Sequence, residues 1–79
     1  MPSFRVTVML KPGVLDAAGQ AVERGLAALA FPAEGVRVGK VVELDVPDAH
    51  RHRIQEMCER FLANPLIETW RIEELEVAR

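Results

Sequence analysis

The sequence has little from which to build an active site. It contains one cysteine, one tryptophan and no tyrosine. The lone Cys58 excludes an internal disulfide and a thiolate-rich zinc site. His50 and His52 stand two residues apart near the start of a helix, so they do not share a helical face and cannot readily converge on a metal ion. No apolar run approaches the roughly 20 residues that span a bilayer, and no basic segment leads into an apolar stretch at the N-terminus. The expectation is a cytoplasmic protein. Neither Gly35 and Gly39 nor the Lys-Pro-Gly at 11–13 has the spacing of a phosphate-cradling loop, so ATP binding by this chain is unsupported. Ten basic residues are interspersed among twelve acidic ones, for a net charge of -2. That balance gives no general attraction to polyanions, and Phe4, Phe31, Phe61 and Trp70 are too dispersed to form a row for stacking bases.

What is present reads as one small ordered domain covering residues 2–79, without repeats or a linker. The chain has 79 residues, 49% of them hydrophobic and 28% charged. A domain this short buries only roughly 60–65% of the surface its unfolded form exposes, so partners are expected to complete it. In FRVTVML at 4–10, Phe4, Val6, Val8 and Leu10 alternate with Arg5, Thr7 and Met9, the period of a half-buried strand. Pro12 and Gly13 favour a turn, and Asp16 is placed to cap a helix over about 18–30 with an apolar stripe of Ala18, Val22, Leu26 and Leu29. Gly25 weakens that helix, and Phe31 and Pro32 end it.

VRVGKVVELDV at 36–46 predicts a long second strand, with Gly39 as a bend or bulge that can split it. Pro47 closes the strand and Asp48 is placed to cap the next helix, whose Ile54, Met57, Cys58, Phe61 and Leu62 form a buried stripe. Asn64 and Pro65 stop it. Residues 66–77 then predict a third strand that changes phase, because Trp70 and Ile72 share one face while Leu75 and Val77 share the other. A bulge or a second packing surface is therefore expected near Glu73 or Glu74. The predicted fold is a two-layer α+β sandwich in βαβαβ order, with two helices on one face of a small, mainly antiparallel sheet. Its other face carries Arg5, Thr7, Met9, Arg37, Val41, Glu43, Thr69, Arg71 and Glu73.

Asp16, Asp45 and Asp48 do not form a convincing catalytic carboxylate pair, since two are placed as caps and one ends a strand. Cys58 falls within the apolar stripe and behaves as a small hydrophobe. Lys11, Arg37 and Lys40 could meet in the fold to hold a carboxylate or phosphate, or could be ordinary solvated surface. Trp70 suits the core and an interface equally well.

Three segments carry a family resemblance: LKPGVLDAAG at 10–19, VRVGKVVEL at 36–44 and MCERFLANPLIETWRIE at 57–73. Together they closely resemble the PurS subunit of bacterial and archaeal phosphoribosylformylglycinamidine synthase, over almost the whole chain. Ala17 and Ala18 stand where the family usually has proline and glutamine. The resemblance implies a noncatalytic small subunit that binds no cofactor itself. It would bridge a glutaminase subunit and a large synthetase subunit that uses ATP and magnesium, and would support ammonia transfer between them in purine biosynthesis. It also implies a homodimer, in a family whose dimers can pair into tetramers. The motifs carry over as candidate interface residues: Lys11, Pro12, Gly13 and Asp16 in the first segment, Arg37, Gly39 and Lys40 in the second, and Asn64 and Glu68 in the third. The alternative is a dimeric regulatory domain that binds a small ligand between its subunits.

Overall fold

A computed structural model of the chain describes residues 1–76. The first strand, β1 (Ser3–Leu10), lies in the middle of a three-stranded sheet, flanked by β2 (Lys40–Asp45) and β3 (Glu68–Leu75). Both pairings are antiparallel, with Val6 opposite Val42 on one side and Ile72 on the other. The alternation in β1 is realised directly. Phe4, Val6 and Val8 are buried while Arg5 and Thr7 point to the other face.

The inner face is closed by the second helical segment, which winds in three ways: 3₁₀ over Asp48–Arg53, α over Ile54–Met57 (α2) and π over Cys58–Leu62. Val6, Val8, Cys58 and Ala63 form the core, with Val42, Leu44, Ile54, Leu62, Trp70 and Ile72 packed around them. Trp70 packs against this core while remaining partly exposed, its indole N–H directed at Gln55 Oε1 at 3.4 Å. Cys58 is fully buried, and burial pushes its thiol pKa up, which keeps the sulfur protonated and inert. Asp48 does not cap this segment: Pro47 holds the N-cap position, and Asp48 lies in the first turn, where its charge favours the helix N-terminus.

The first helix, α1 (Ala17–Ala28), is capped by Asp16, which accepts from the Gly19 N–H at 2.7 Å. It ends in a Schellman motif in which Phe31 N–H bonds the Leu26 carbonyl and Ala30 N–H bonds that of Ala27. Ala30 occupies the left-handed position, with φ 64°. The apolar stripe expected to be buried on α1 is largely open: Val22 is 44% exposed and Leu29 68%. Only Gly19 of this helix is buried, since most of its length has no opposing layer within the chain. The radius of gyration, 15.9 Å, reflects this. A compact chain of this length should have about 12 Å.

Two strand expectations are corrected. The second strand is shorter than 36–46, because residues 36–39 lie outside the ladder; Val36 and Val38 donate their N–H groups to Glu23 and Asp16 carboxylates rather than to a neighbouring strand. Arg37 therefore does not belong to the sheet's outer face. The third strand has no bulge, since its register with β1 runs unbroken from Leu10–Glu68 to Ser3–Leu75. Leu75 is simply on the outer face, half-buried beside Ser3. Val77, the other residue of the expected phase change, lies outside the described residues.

Candidate functional site

The C-terminal end of β1 gathers the candidate residues from all three segments. Lys11 follows directly on Leu10, and its backbone N–H bonds the Ile67 carbonyl at 2.8 Å, which ties the loop to the turn before β3. Val14 N–H closes a turn back to the Lys11 carbonyl at 3.2 Å. Gly13, at φ 87°, takes the left-handed conformation this turn needs and that glycine adopts without penalty. Pro12 and Gly13 are exposed, and Lys11 is half-buried.

The second segment folds back against the same end. Asp16 holds two backbone N–H groups at once, Gly19 through Oδ1 at 2.7 Å and Val38 through Oδ2 at 3.0 Å. These bonds, Val38 first, hold its carboxyl below the usual carboxylate range, aided by the nearby Arg37 charge. Glu23, one turn further along α1, accepts from Val36 N–H at 3.2 Å. Arg37 donates its guanidinium to the Leu10 carbonyl. Gly39 sits against the Val8 carbonyl and the Met9 sulfur, so closely that a Cβ there would collide with both. Lys40 pairs in register with Val8 and is exposed.

The third segment completes the end from the other side. Glu68 pairs with Leu10, and its carboxylate accepts from Asn64 N–H at 2.6 Å. The Asn64 carbonyl in turn accepts from Glu68 N–H at 2.8 Å, and the Asn64 side chain accepts from Leu66 N–H at 3.1 Å. Asn64 and Glu68 thus lock the turn between the second helical segment and β3.

All nine candidates therefore meet at one end of the sheet, and their bonding divides them. Asp16, Gly39, Asn64, Glu68 and Arg37 bind the chain's own backbone or leave room for it. Lys11 and Lys40 have no carboxylate within ion-pair distance among the described residues. Two open grooves flank Glu68, one of about 400 Å³ bordered by Lys11 and Trp70 and one of about 280 Å³ bordered by Asp16 and Lys40. Such an end can receive carboxylate or carbonyl groups from a partner on its two free ammonium groups. Among the described residues, no hydroxyl or thiol at this end is hydrogen-bonded to a carboxylate or imidazole. Among the described residues, no three His, Cys, Asp or Glu side chains converge to hold a metal ion. No helix among them is long and apolar enough to cross a membrane.

Sequence reasoning missed Gly19. A Cβ at this position would lie 2.7 Å from Asp16 Oδ2 and closer still to the Val36 carbonyl oxygen, so glycine is what lets the 36–38 segment rest on the start of α1. Its presence in the LDAAG run was visible. The tertiary contact that requires it was not.

Comparison with known proteins agrees with this architecture. A family model for PurS, described as phosphoribosylformylglycinamidine (FGAM) synthase, matches residues 3–76. The phosphoribosylformylglycinamidine synthase subunit PurS of Bacillus subtilis is 40% identical, in an alignment covering 98% of this chain and 96% of that one. A crystal form of B. subtilis PurS superposes with a TM-score of 0.87 at 39% identity, covering 96% of this chain and all of that one. A chain in the structure of PurLQS from Thermotoga maritima superposes with a TM-score of 0.73 at 29% identity, covering 95% of this chain and all of that one.

Proposed function

The chain belongs to the PurS family, the small subunits of phosphoribosylformylglycinamidine synthase, and from that premise we propose that it bridges the glutaminase and synthetase subunits of the enzyme. In this reading the glutaminase releases ammonia from glutamine, and the synthetase, which holds ATP and magnesium, uses it to make the amidine. The small subunit keeps the two sites in a relation that lets ammonia pass between them in the cytoplasm. Its contribution is positional, because fixing two reactive sites relative to each other removes the loss of a freely diffusing intermediate. The similarity to a chain solved within PurLQS supports such an assembly role.

The observation that carries the proposal is the convergence of Lys11, Arg37, Lys40, Asn64 and Glu68 at the end of β1. The framework there is satisfied internally, while two cations remain for a partner. The flanking grooves are open rather than enclosed, which favours a docking surface over a pocket for a small regulatory ligand. We assign this end to the synthetase subunit. The open stripe of α1 suits a second copy of the chain, as does the extended shape. Replacing Lys11 and Lys40 together with alanine is expected to weaken binding to the purified synthetase subunit in calorimetric titration without altering the far-UV circular dichroism of the small chain. Unchanged affinity would remove the two lysines from the interface.

A further inference from the structure

Bonding divides the chain into two bodies with little between them. Residues 16–38 hold themselves together: Asp16 and Glu23 accept from the N–H groups of Val38 and Val36, Gly19 lets the Val36 carbonyl rest on α1, and Phe31 N–H closes the end of the helix on Leu26. The returning 36–38 segment is thus fastened to α1 at two points. Attachment of the same residues to the sheet is slight. The core and the apolar side chains packed around it all come from the sheet or from residues 54–63. Among the described residues, no side chain of 16–38 forms an ion pair, and one exposed hydrogen bond crosses to the sheet, from the Arg37 guanidinium to the Leu10 carbonyl. Few buried apolar contacts and exposed bonding place an attachment at the low end of a structure's local stability.

The two places where the chain crosses between these bodies are suited to rotation. The outgoing crossing is the 11–15 loop, where Gly13 is exposed, holds φ 87° and has open space where a Cβ would go. The returning crossing is Gly39, whose backbone lies directly against the Val8 carbonyl and the Met9 sulfur. The first supplies backbone freedom, and the second a point of contact with no side chain to obstruct turning. Between the bodies lies the groove of about 280 Å³, with Val8 and Leu10 on the sheet side and Ala17, Ala18 and Val38 on the other. Apart from the crossings and the Arg37 bond, its two walls are joined by no hydrogen bond among the described residues.

We propose that residues 16–38 form a rigid arm that swings against the sheet about Gly13 and Gly39, with the bond from Arg37 to Leu10 as its catch. The 12 residues of α1 make it about 18 Å long, so a rotation of about 15°, the scale of known rigid-body rotations, carries its far end about 5 Å. The arm bears the open stripe of Val22 and Leu29, and the swing sets where that stripe is offered while the sheet stays in place. The hinge stands apart from the bridging role, which requires no motion within the chain.

The test is double electron-electron resonance on the full-length chain, each doubly labelled chain being diluted into unlabelled chain so that only distances within one molecule are read. Arg24→Cys with Glu34→Cys spans the arm internally, and Arg24→Cys with Thr69→Cys spans arm and sheet. All three positions are exposed, and the native Cys58 is buried away from the label. The internal pair is expected to give a narrow distance distribution and the arm-to-sheet pair one broader by about 5 Å, and adding Arg37→Ala is expected to widen the second alone. Equal widths for the two pairs would overturn the hinge, whether both are narrow, as for a fixed arm, or both broad, as for one that loosens internally. Distributions unchanged by Arg37→Ala would overturn the catch.

Discussion

Two glycines of α1 separate the helix's own preference from the contact it makes. Gly25 lies in the helix interior with open space where a Cβ would go. Gly25→Ala should therefore stabilise the chain by about 0.5–1 kcal/mol through helix propensity and a less flexible unfolded state. Gly19→Ala carries a similar gain but sets a methyl group 2.7 Å from Asp16 Oδ2 and nearer still to the Val36 carbonyl. A backbone carbonyl cannot swing aside as a side-chain tip can, so either the 36–38 segment or the cap must move. Overpacking of this kind costs about 1–3 kcal/mol, which outweighs the propensity term. The two variants should differ by about 2 kcal/mol in opposite directions from the parent. With a urea dependence of about 1–2 kcal/mol per molar, their unfolding midpoints separate by about 1–2 M. Far-UV circular dichroism at a fixed protein concentration reads this directly, the fixed concentration removing the contribution of self-association. Equal midpoints for the two variants would refute the close approach of the 36–38 segment to α1.

Further outcomes concern the same helix. Ala30 holds the left-handed position of the Schellman motif, where a Cβ is unfavourable, so Ala30→Gly is expected to raise stability by about 0.5–1 kcal/mol in urea titration; destabilisation would contradict the motif. Asp16 has a lowered pKa in the folded chain, so its contribution is complete above the unfolded value of about 3.9 and is lost as pH falls through the folded value. Amide protection at Gly19 and Val38 should accordingly persist through the ordinary carboxylate range and fail only as pH falls through the lowered folded value. Asp16→Asn should reduce both protections already at neutral pH, and an unchanged exchange rate at Val38 would break the link between cap and segment.

How much of this was legible in the sequence follows from the range of each interaction. The buried face of β1 could be read residue by residue, because strand period is local and the alternation of Phe4, Val6 and Val8 with charged or polar neighbours is uninterrupted. The Asp16 cap and the stop at Phe31–Pro32 were legible for the same reason. Residues 36–39 were read as strand because valines alternate there, yet their N–H groups are claimed by Asp16 and Glu23, side chains 22 and 13 residues away. Phe61, 87% exposed on the π turn, was read as buried because nothing in a 3.6-residue pattern announces such a turn. A meeting of Lys11, Arg37 and Lys40 was one of two readings of the sequence, whereas their convergence with Asn64 and Glu68 was anticipated only as separate motifs. Antiparallel register brings Lys40 and Glu68 to either side of the end of β1, and that register depends on pairings across 30 to 60 residues. The openness of α1 was hidden as well, since an apolar stripe looks the same whether its own sheet or another chain covers it.

Reconstitution of the synthase from its purified subunits tests the bridging role most directly. Synthesis of the amidine is measured with glutamine as the nitrogen source and, in parallel, with free ammonia, which bypasses transfer between the two sites. Omitting this chain is expected to abolish the glutamine-dependent reaction while leaving the ammonia-dependent one largely intact. Equal glutamine-dependent rates with and without the chain would contradict the account.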